Sequence, residues 1–388
     1  MDQAVWSKFS FTGANLDHVT GYVRAQELKG IAQTTIINKL WRIYAFVKFR
    51  EGKDLAEVTR DDIETYVLAR KKIVSKHTLP NDIVQLRHFY QWFLPERAGD
   101  LFCNIKPARP KTTMPIDQVM RASDVQKMLS VCTTQRDRAL ISLLWDSGAR
   151  LGEVIALNVG SVTLDQYGAV ISVDGKTGQR RVRLIDSVPD IQTWLNQHPR
   201  RDDPKAPLFI NLRKAGGDTR WSARGIQNVL KTIAQHAGVE KRIYPHAFRH
   251  GRATDRASHY TEPEMRVKFG WTSGSMMPST YVHLSGRDIE EKDLHLAGIL
   301  TDDPSRNKNP LAPIDCPRCR KKNPPDAMFC NCGMMLKEEA FKIVETAEDQ
   351  MEAKLSEDQK LMADVLAELR ALRKEGKIQT QISNFGQP

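Results

Sequence analysis

Apolar side chains recur three and four positions apart through the first hundred residues. The pattern runs through Ile36, Ile37, Leu40, Trp41, Tyr44 and Val47, then Ile63, Tyr66 and Val67, then Ile83, Leu86, Phe89, Tyr90 and Phe93. That period predicts amphipathic helices packed on one another. Thr59-Arg60-Asp61-Asp62 has the chemistry of an N-cap opening one of them. Between Ile105 and Met120 the pattern gives way to Pro107, Pro110 and Pro115 interleaved with Lys106, Arg109 and Lys111. Such a stretch reads as an extended basic linker.

Beyond it the periods mix. Ala122-Ser123-Asp124-Val125 starts a helix, and Asp137 to Trp145 is a largely apolar, buried one ended by Ser147-Gly148. Ala169 to Val173 and Arg181 to Ile185 read as two strands, joined by the glycine-rich turn Asp174 to Gln179 with Lys176 at its tip. Helices follow near 188–197 and 222–237. Another starts at Pro245, which suits a first helical turn, and one over about 262–270 ends at Gly270-Trp271. Pro304 to Pro313 reads as a second linker. From Glu338 to Lys374, Val344, Met351, Val365 and Leu372 share one heptad position and Leu355, Met362 and Leu369 another, interrupted by Glu348 and Asp358. This suits a short coiled coil or a single helix packed on its own protein. The expected fold class is mainly α with a small β-sheet. The expected organisation is a helical domain over 1–105, a linker over 106–120, a mixed domain over 121–300, a cysteine knuckle over 314–335 and a C-terminal helix over 337–376.

Charge narrows the partner. The 388 residues carry a net +11, with a pI near 9.3. From Gly333 to Pro388 there are 8 Lys and Arg against 11 Asp and Glu, a net of −3, so residues 1–332 carry +14. A basic body with a mildly acidic tail suits a polyanion, most simply nucleic acid. The helical region spreads Arg24, Lys29, Lys39, Arg42, Lys48, Arg50, Arg70, Lys71, Lys72, Lys76 and Arg87 over its surface, and one basic face would grip a DNA backbone. No run approaches the roughly 18 apolar residues of a membrane span. Met1-Asp2-Gln3-Ala4-Val5-Trp6 lacks a basic region before an apolar core, so the expectation is a cytoplasmic protein.

Of six cysteines, Cys103 and Cys132 stand alone and are expected as small core residues. Cys316, Cys319, Cys330 and Cys332 fall within seventeen residues, as CxxC, ten residues, CxC. Four thiolates so spaced can close a tetrahedral Zn²⁺ site, and a knuckle with so little core needs the metal to fold. No open ligand position is evident, so the expected role is structural.

One stretch carries chemistry. In Tyr244-Pro245-His246-Ala247-Phe248-Arg249-His250, His246 and Arg249 sit three apart on one helix face. An Arg fork and a proton-moving His suit a phosphate. Tyr281 follows a segment rich in Gly, Ser and Met that lets it turn toward that face. A phosphodiester is cut without metal if something attacks, charge is held, the attacker's proton leaves and the leaving oxygen gains one. Tyr281 can attack, Arg150 and Arg249 can hold oxygens, His246 can shuttle a proton, and Lys176 can reach the leaving 5′ oxygen. Plainer readings stand beside each role. Arg150 and Glu153 make an i,i+3 ion pair, Lys176 is a solvated turn residue, Trp271 is core and His250 is a satisfied structural histidine. Tyr260, expected at the end of the same helix, is the rival nucleophile.

Arg150 in Gly148-Ala149-Arg150-Leu151-Gly152-Glu153, Lys176, His246-Ala247-Phe248-Arg249-His250, Gly270-Trp271 and Tyr281 resemble, in order, the signature of the tyrosine recombinases. These form the phage integrase family, which includes the Xer-type enzymes. The resemblance covers residues 15 to about 295. The N-terminal bundle resembles the family's SAM-like core-binding domain, and the mixed domain its catalytic domain. The knuckle and tail resemble additions in archaeal integrases. The resemblance implies that Arg150 and Arg249 bind the scissile phosphate, Lys176 protonates the leaving group and His246 assists proton transfer. Trp271 stands where members carry His or Trp, and Tyr281 becomes linked to the 3′ phosphate. Glu153 and His250 would be supports. It also implies a site-specific integrase, without ATP or catalytic metal, acting on double-stranded DNA as a tetramer of copies. The gap of ten from Trp271 to Tyr281, where nine was expected, and the nearby Pro278 leave delivery of Tyr281 in cis or in trans open. Two alternatives remain: a type IB topoisomerase that relaxes supercoils, and a DNA-binding protein without catalysis.

Overall fold

The computed structural model describes residues 6–106, 115–175, 178–212, 219–257, 259–284, 293–294, 296–299 and 309–374. Two units divide the chain, residues 1–113 and 114–388.

The first unit is helical: α1 (Ala14–Leu28), α2 (Gln33–Phe49), α3 (Arg60–Ile73), α4 (Leu79–Phe93) and the short α5 (Pro95–Leu101). Its core is aromatic, built on Tyr22, Phe46, Phe89 and Tyr90, and the periodic residues of the sequence point into it except Trp41, which is 44% exposed. Thr59 and Asp62 cap α3 reciprocally, as their order predicts. Several cations expected on a nucleic-acid surface instead serve this unit. Arg50 is buried and donates to the Asp54 carbonyl at 2.6 Å. Arg87 donates to the Phe102 and Ile105 carbonyls. Arg70 and Arg42 flank the buried Asp82 carboxylate at 2.9 and 3.5 Å. Lys48, Lys71, Lys72 and Lys76 remain exposed. Cys103 is exposed rather than core, because it falls in the turn after α5 where Phe102 takes the inward place.

The second unit is built around α7 (Gln135–Ser147), buried on nearly all sides. Around it lie α6 (Ala122–Ser130), α8 (Leu151–Ala156), α9 (Val188–Gln197), α10 (Ala223–His236), α11 (Pro245–Ala257), α12 (Glu262–Phe269) and α13 (Met277–Leu284). A sheet of β1 (Val162–Asp165), β2 (Gly168–Gly175) and β3 (Gly178–Leu184) is antiparallel in the order β1-β2-β3. Two strands were expected; β1 was missed because it is short and mostly exposed, so it carries no alternation to read. The β2–β3 pairing runs as far as Gly175↔Gly178, so Asp174, Gly175, Gly178 and Gln179 of the expected turn are strand. Lys176 lies outside the described residues. Tyr260 lies beyond the end of α11, not within it. Val119 and Met120, expected in the linker, are buried, Met120 as part of this unit's core.

The second expected linker is also partly built in. Its residues through 308 lie outside the description, but Asn309 donates to Asp186 at 2.9 Å and Leu311 is buried in the main core. The cysteine segment follows, with a small hairpin of β4 (Ile314–Asp315) and β5 (Lys322–Asn323). It docks on the unit through Arg138 of α7. That guanidinium bridges Asp190 of α9 at 2.6 Å and the Asp326 carboxylate of the cysteine segment at 2.8 Å. The last helix, α14 (Glu338–Lys374), leaves Met351, Leu361, Met362 and Val365 exposed, so among the described residues this middle part of its seam is open.

Candidate active site

Two helix C-caps organise the site. α7 ends at Gly148 (φ 57°) and α12 at Gly270 (φ 59°), both left-handed, a conformation glycine adopts without strain. A Cβ at Gly148 would lie 2.5 Å from the Phe269 ring. These caps turn carbonyls toward two arginines. Arg249 of α11 donates to the Gly148 carbonyl at 2.9 Å and also to the Phe269 carbonyl. Arg150, immediately before α8, donates to the Gly270 carbonyl at 2.9 Å. The two guanidinium groups therefore hold consecutive carbonyls, at 269 and 270, and converge on one place. Each retains donors of its fork beyond these bonds.

Glu153 organises the positive charge. Its carboxylate accepts from the Arg150 backbone N–H and guanidinium, both at 2.8 Å, and from Arg180 at 2.9 and 2.8 Å. The i,i+3 pair is thus formed, and it orients Arg150 rather than removing it: the Arg150 side chain stays 27% exposed. Burial alone would raise the Glu153 carboxyl. The bonds from Arg180 and Arg150 outweigh it and pull the pKa down to about 2. Arg180 was missed at the sequence level. It shares the inward face of β3 with Val182 and Leu184, and that period-two alternation was the available signal.

Arg249 is 3% exposed. Burial, then the charge of Arg150, lowers its pKa to about 10, which leaves it charged at neutral pH. Its guanidinium lies 5.3 Å from the centre of the Trp271 ring and 5.4 Å from that of Phe269. Trp271 is therefore part of a stack and not plain core. Its ring lies 5.6 Å from that of Tyr281, nearly parallel at 10°.

Tyr281, on α13, is 3% exposed and comes to this site within its own chain. Its hydroxyl is hydrogen-bonded to Nδ1 of His250 on α11. Burial raises the phenol pKa above its ordinary value, partly offset by the charge of Arg249. His250 is half-buried. Burial, then His246 and Arg249, lowers its pKa, so it is neutral at pH 7. His246 lies one turn earlier with its ring 5.9 Å from that of His250, but its side chain is open to solvent. The structure thus gathers Arg150, Arg249, His246, Trp271 and Tyr281, adds Glu153, His250 and Arg180, and leaves Lys176 undescribed.

Residues 118–287 match the phage integrase family. That match, with the relatives below, supports a tyrosine recombinase. Among curated relatives of this chain, tyrosine recombinase XerD of Listeria innocua serovar 6a is 28% identical over 243 residues, spanning 58% of this chain and 80% of that protein. Tyrosine recombinase XerC of Leptospira interrogans is 26% identical over 280 residues, spanning 69% and 88%. Among solved structures, a lambda integrase dimer bound to a COC′ core site aligns with a TM-score of 0.57 at 16% identity, over 73% of this chain and 81% of that one. The Tn1549 transposon integrase in complex with transposon right end DNA aligns at 0.54 and 16%, over 72% and 99%. At those identities the structures establish the shared fold.

A second cluster lies in the cysteine segment. The four sulfurs of Cys316, Cys319, Cys330 and Cys332 all fall within 4.8 Å of one another. Cys316 and Cys332 are 3.6 Å apart and Cys319 and Cys330 3.5 Å. A tetrahedral Zn²⁺ with Zn–S bonds of roughly 2.3 Å sets its sulfurs about 3.8 Å apart, so the donor set fits such an ion. The turns after each cysteine pair use positive φ, at Arg320 (61°) and Gly333 (83°). Among the described residues, no helix is long and apolar enough to cross a membrane.

Proposed function

We propose that this recombinase cuts and rejoins DNA strands through a 3′-phosphotyrosine formed on Tyr281. The convergence of Arg150 and Arg249 on consecutive carbonyls beside the Tyr281 stack carries the reading. Fixed guanidinium donors suit the non-bridging oxygens of a phosphate and the charge that grows on them in the transition state. Tyr281 attacks phosphorus, and the 5′ oxygen leaves. His246, open to solvent beside both arginines, assists proton transfer, and Lys176 supplies the proton to the 5′ oxygen. Trp271 packs the nucleophile's ring and faces Arg249. Glu153 holds Arg150 and Arg180 in place. The bond energy stays in the phosphotyrosine, so the chemistry uses neither ATP nor a catalytic metal.

Double-stranded DNA is the partner, and the charge of +14 over residues 1–332 supports it. The exposed lysines of the first unit would track the backbone. Assembly of copies on paired sites fits the reading; a related lambda integrase was solved as a tetramer bound to a Holliday junction. The apolar seam left open on α14 suits association between copies. Zn²⁺ held by Cys316, Cys319, Cys330 and Cys332 would be structural, fixing a hairpin that has few apolar residues of its own.

The test is a nicked suicide duplex carrying a segment captured from genomic DNA by the protein. Strand cleavage should leave a covalent adduct, absent in Tyr281→Phe, and the adduct should map to one sequence. Relaxation of arbitrary plasmid without joining of two sites would instead mark the topoisomerase reading. Tight binding with no adduct on any DNA would mark a binding protein.

A further inference from the structure

We propose that His250 is the group that takes the phenol proton of Tyr281 during attack. This rests on the reading of Tyr281 as nucleophile. Sequence alone offered His246 for proton transfer, but the geometry divides the two histidines of α11. His246 opens to solvent, on the side of the two arginines where a phosphate would sit. His250, one turn on, is turned inward, and its Nδ1 is the hydrogen-bond partner of the reacting oxygen. Among the described residues no other hydrogen bond reaches that hydroxyl. Trp271 covers one face of the phenol ring at 5.6 Å, so the hydroxyl is held at the imidazole and not merely near it.

The surroundings suit a base. Arg249 and His246 on the same helix, with Tyr281 from α13 packed against it, are the groups that face His250 among the described residues. Burial, then the neighbouring His246 and Arg249, favours the neutral imidazole, leaving a lone pair on Nδ1 when the ring proton is on Nε2. The step balances. The Tyr281 Oη–P bond forms as the P–O5′ bond breaks. The phenol proton passes to Nδ1 of His250, and the leaving 5′ oxygen receives its own proton from the general acid. On rejoining, the 5′ hydroxyl attacks, the Oη–P bond breaks, and the imidazolium returns its proton to the phenolate.

Two experiments on the full chain test this. In the DNA-free protein labelled with ¹⁵N-histidine, His250 should show an unprotonated Nδ1 at pH 7, shifted in Tyr281→Phe. A protonated Nδ1 would overturn the assignment. On the captured suicide duplex, His250→Ala and His250→Gln should each slow adduct formation by roughly 10²–10³-fold, the range of a lost general base. Gln can still hold the hydroxyl, so its loss separates proton transfer from positioning. Replacing Tyr281 by 2,3,5-trifluorotyrosine, a phenol that ionises more readily, should restore most of the rate to His250→Ala. Wild-type rates in His250→Ala, or loss without rescue in both variants, would overturn the proposal. An adduct persisting in Tyr281→Phe would overturn the nucleophile reading itself.

Discussion

The second unit holds two clusters of reactive side chains, and they are built in opposite ways. The arginine and tyrosine cluster draws on α8, β3, α11, the end of α12 and α13, over 130 residues of chain, and every member is fixed by something else. Arg249 holds two carbonyls, Arg150 and Arg180 share Glu153, and Tyr281 lies between Trp271 and His250. The hydrophobic core behind α7 sets these positions before any ligand arrives. The cysteine cluster takes all four ligands from seventeen residues and has almost no core. Its geometry would depend on an ion, and Arg138, Asn309 and Leu311 are among the residues that tie it to the rest. Preorganisation comes from packing in one case and would come from a bound ion in the other.

That contrast can be broken experimentally. The largest effect is expected for Tyr281→Phe: complete loss of covalent adduct on a denaturing gel, with stability lowered by no more than about 1–2 kcal/mol, since only one hydrogen bond is lost. A comparably large effect is expected from chelation, because structural Zn²⁺ in finger peptides is worth about 10–16 kcal/mol. Four thiols should become reactive to a thiol reagent while the main unfolding transition shifts only modestly. A collapse of the whole unit on metal removal would show that the knuckle supports the site as well as itself.

Next, Arg249→Ala should slow cleavage by about 10²–10³-fold, the usual loss of one preorganised donor, and should also lower stability, because the Gly148 and Phe269 carbonyls lose their partner. The pH dependence sharpens the same point. Glu153 has its pKa depressed from 4.5 to about 2, so its contribution is fully present above the ordinary value and lost as pH falls from 4.5 through 2. On the order of 3 kcal/mol is at stake. Denaturant titrations should show that slope in the wild type and lose it in Glu153→Gln. The smallest effect is expected for Asp326→Ala. Removing the Arg138 partner should cost about 1–2 kcal/mol and loosen the knuckle, read as faster amide exchange over residues 314–335, with cleavage on short duplexes unchanged.

Much was legible in the chain, for physical reasons that differ by element. The helices of the first unit, α9, α10 and α12 follow from period and capping, because their apolar residues must face one way. The CxxC and CxC pairs were legible because metal ligands close in sequence need little help to meet. The order of Arg150, His246, Arg249 and Tyr281 was legible only as a pattern, since nothing local says that residues a hundred positions apart converge. β1 was hidden because an exposed four-residue strand lacks alternation. Arg50 and Arg87 looked like free surface cations until packing turned them onto carbonyls.

By itself the sequence determined the mainly helical class, the basic surplus, the four-sulfur cluster and the identities of the side chains able to act on a phosphate. Those depend on local period, spacing and side-chain chemistry, which the chain carries with it wherever it folds. Only the tertiary structure decided that consecutive carbonyls at 269 and 270 draw two arginines together, that Glu153 serves Arg180 as well as Arg150, and that the Tyr281 hydroxyl meets His250 and not His246. Each of those follows from how separate helices pack, and packing is a property of contacts between segments that no single segment encodes.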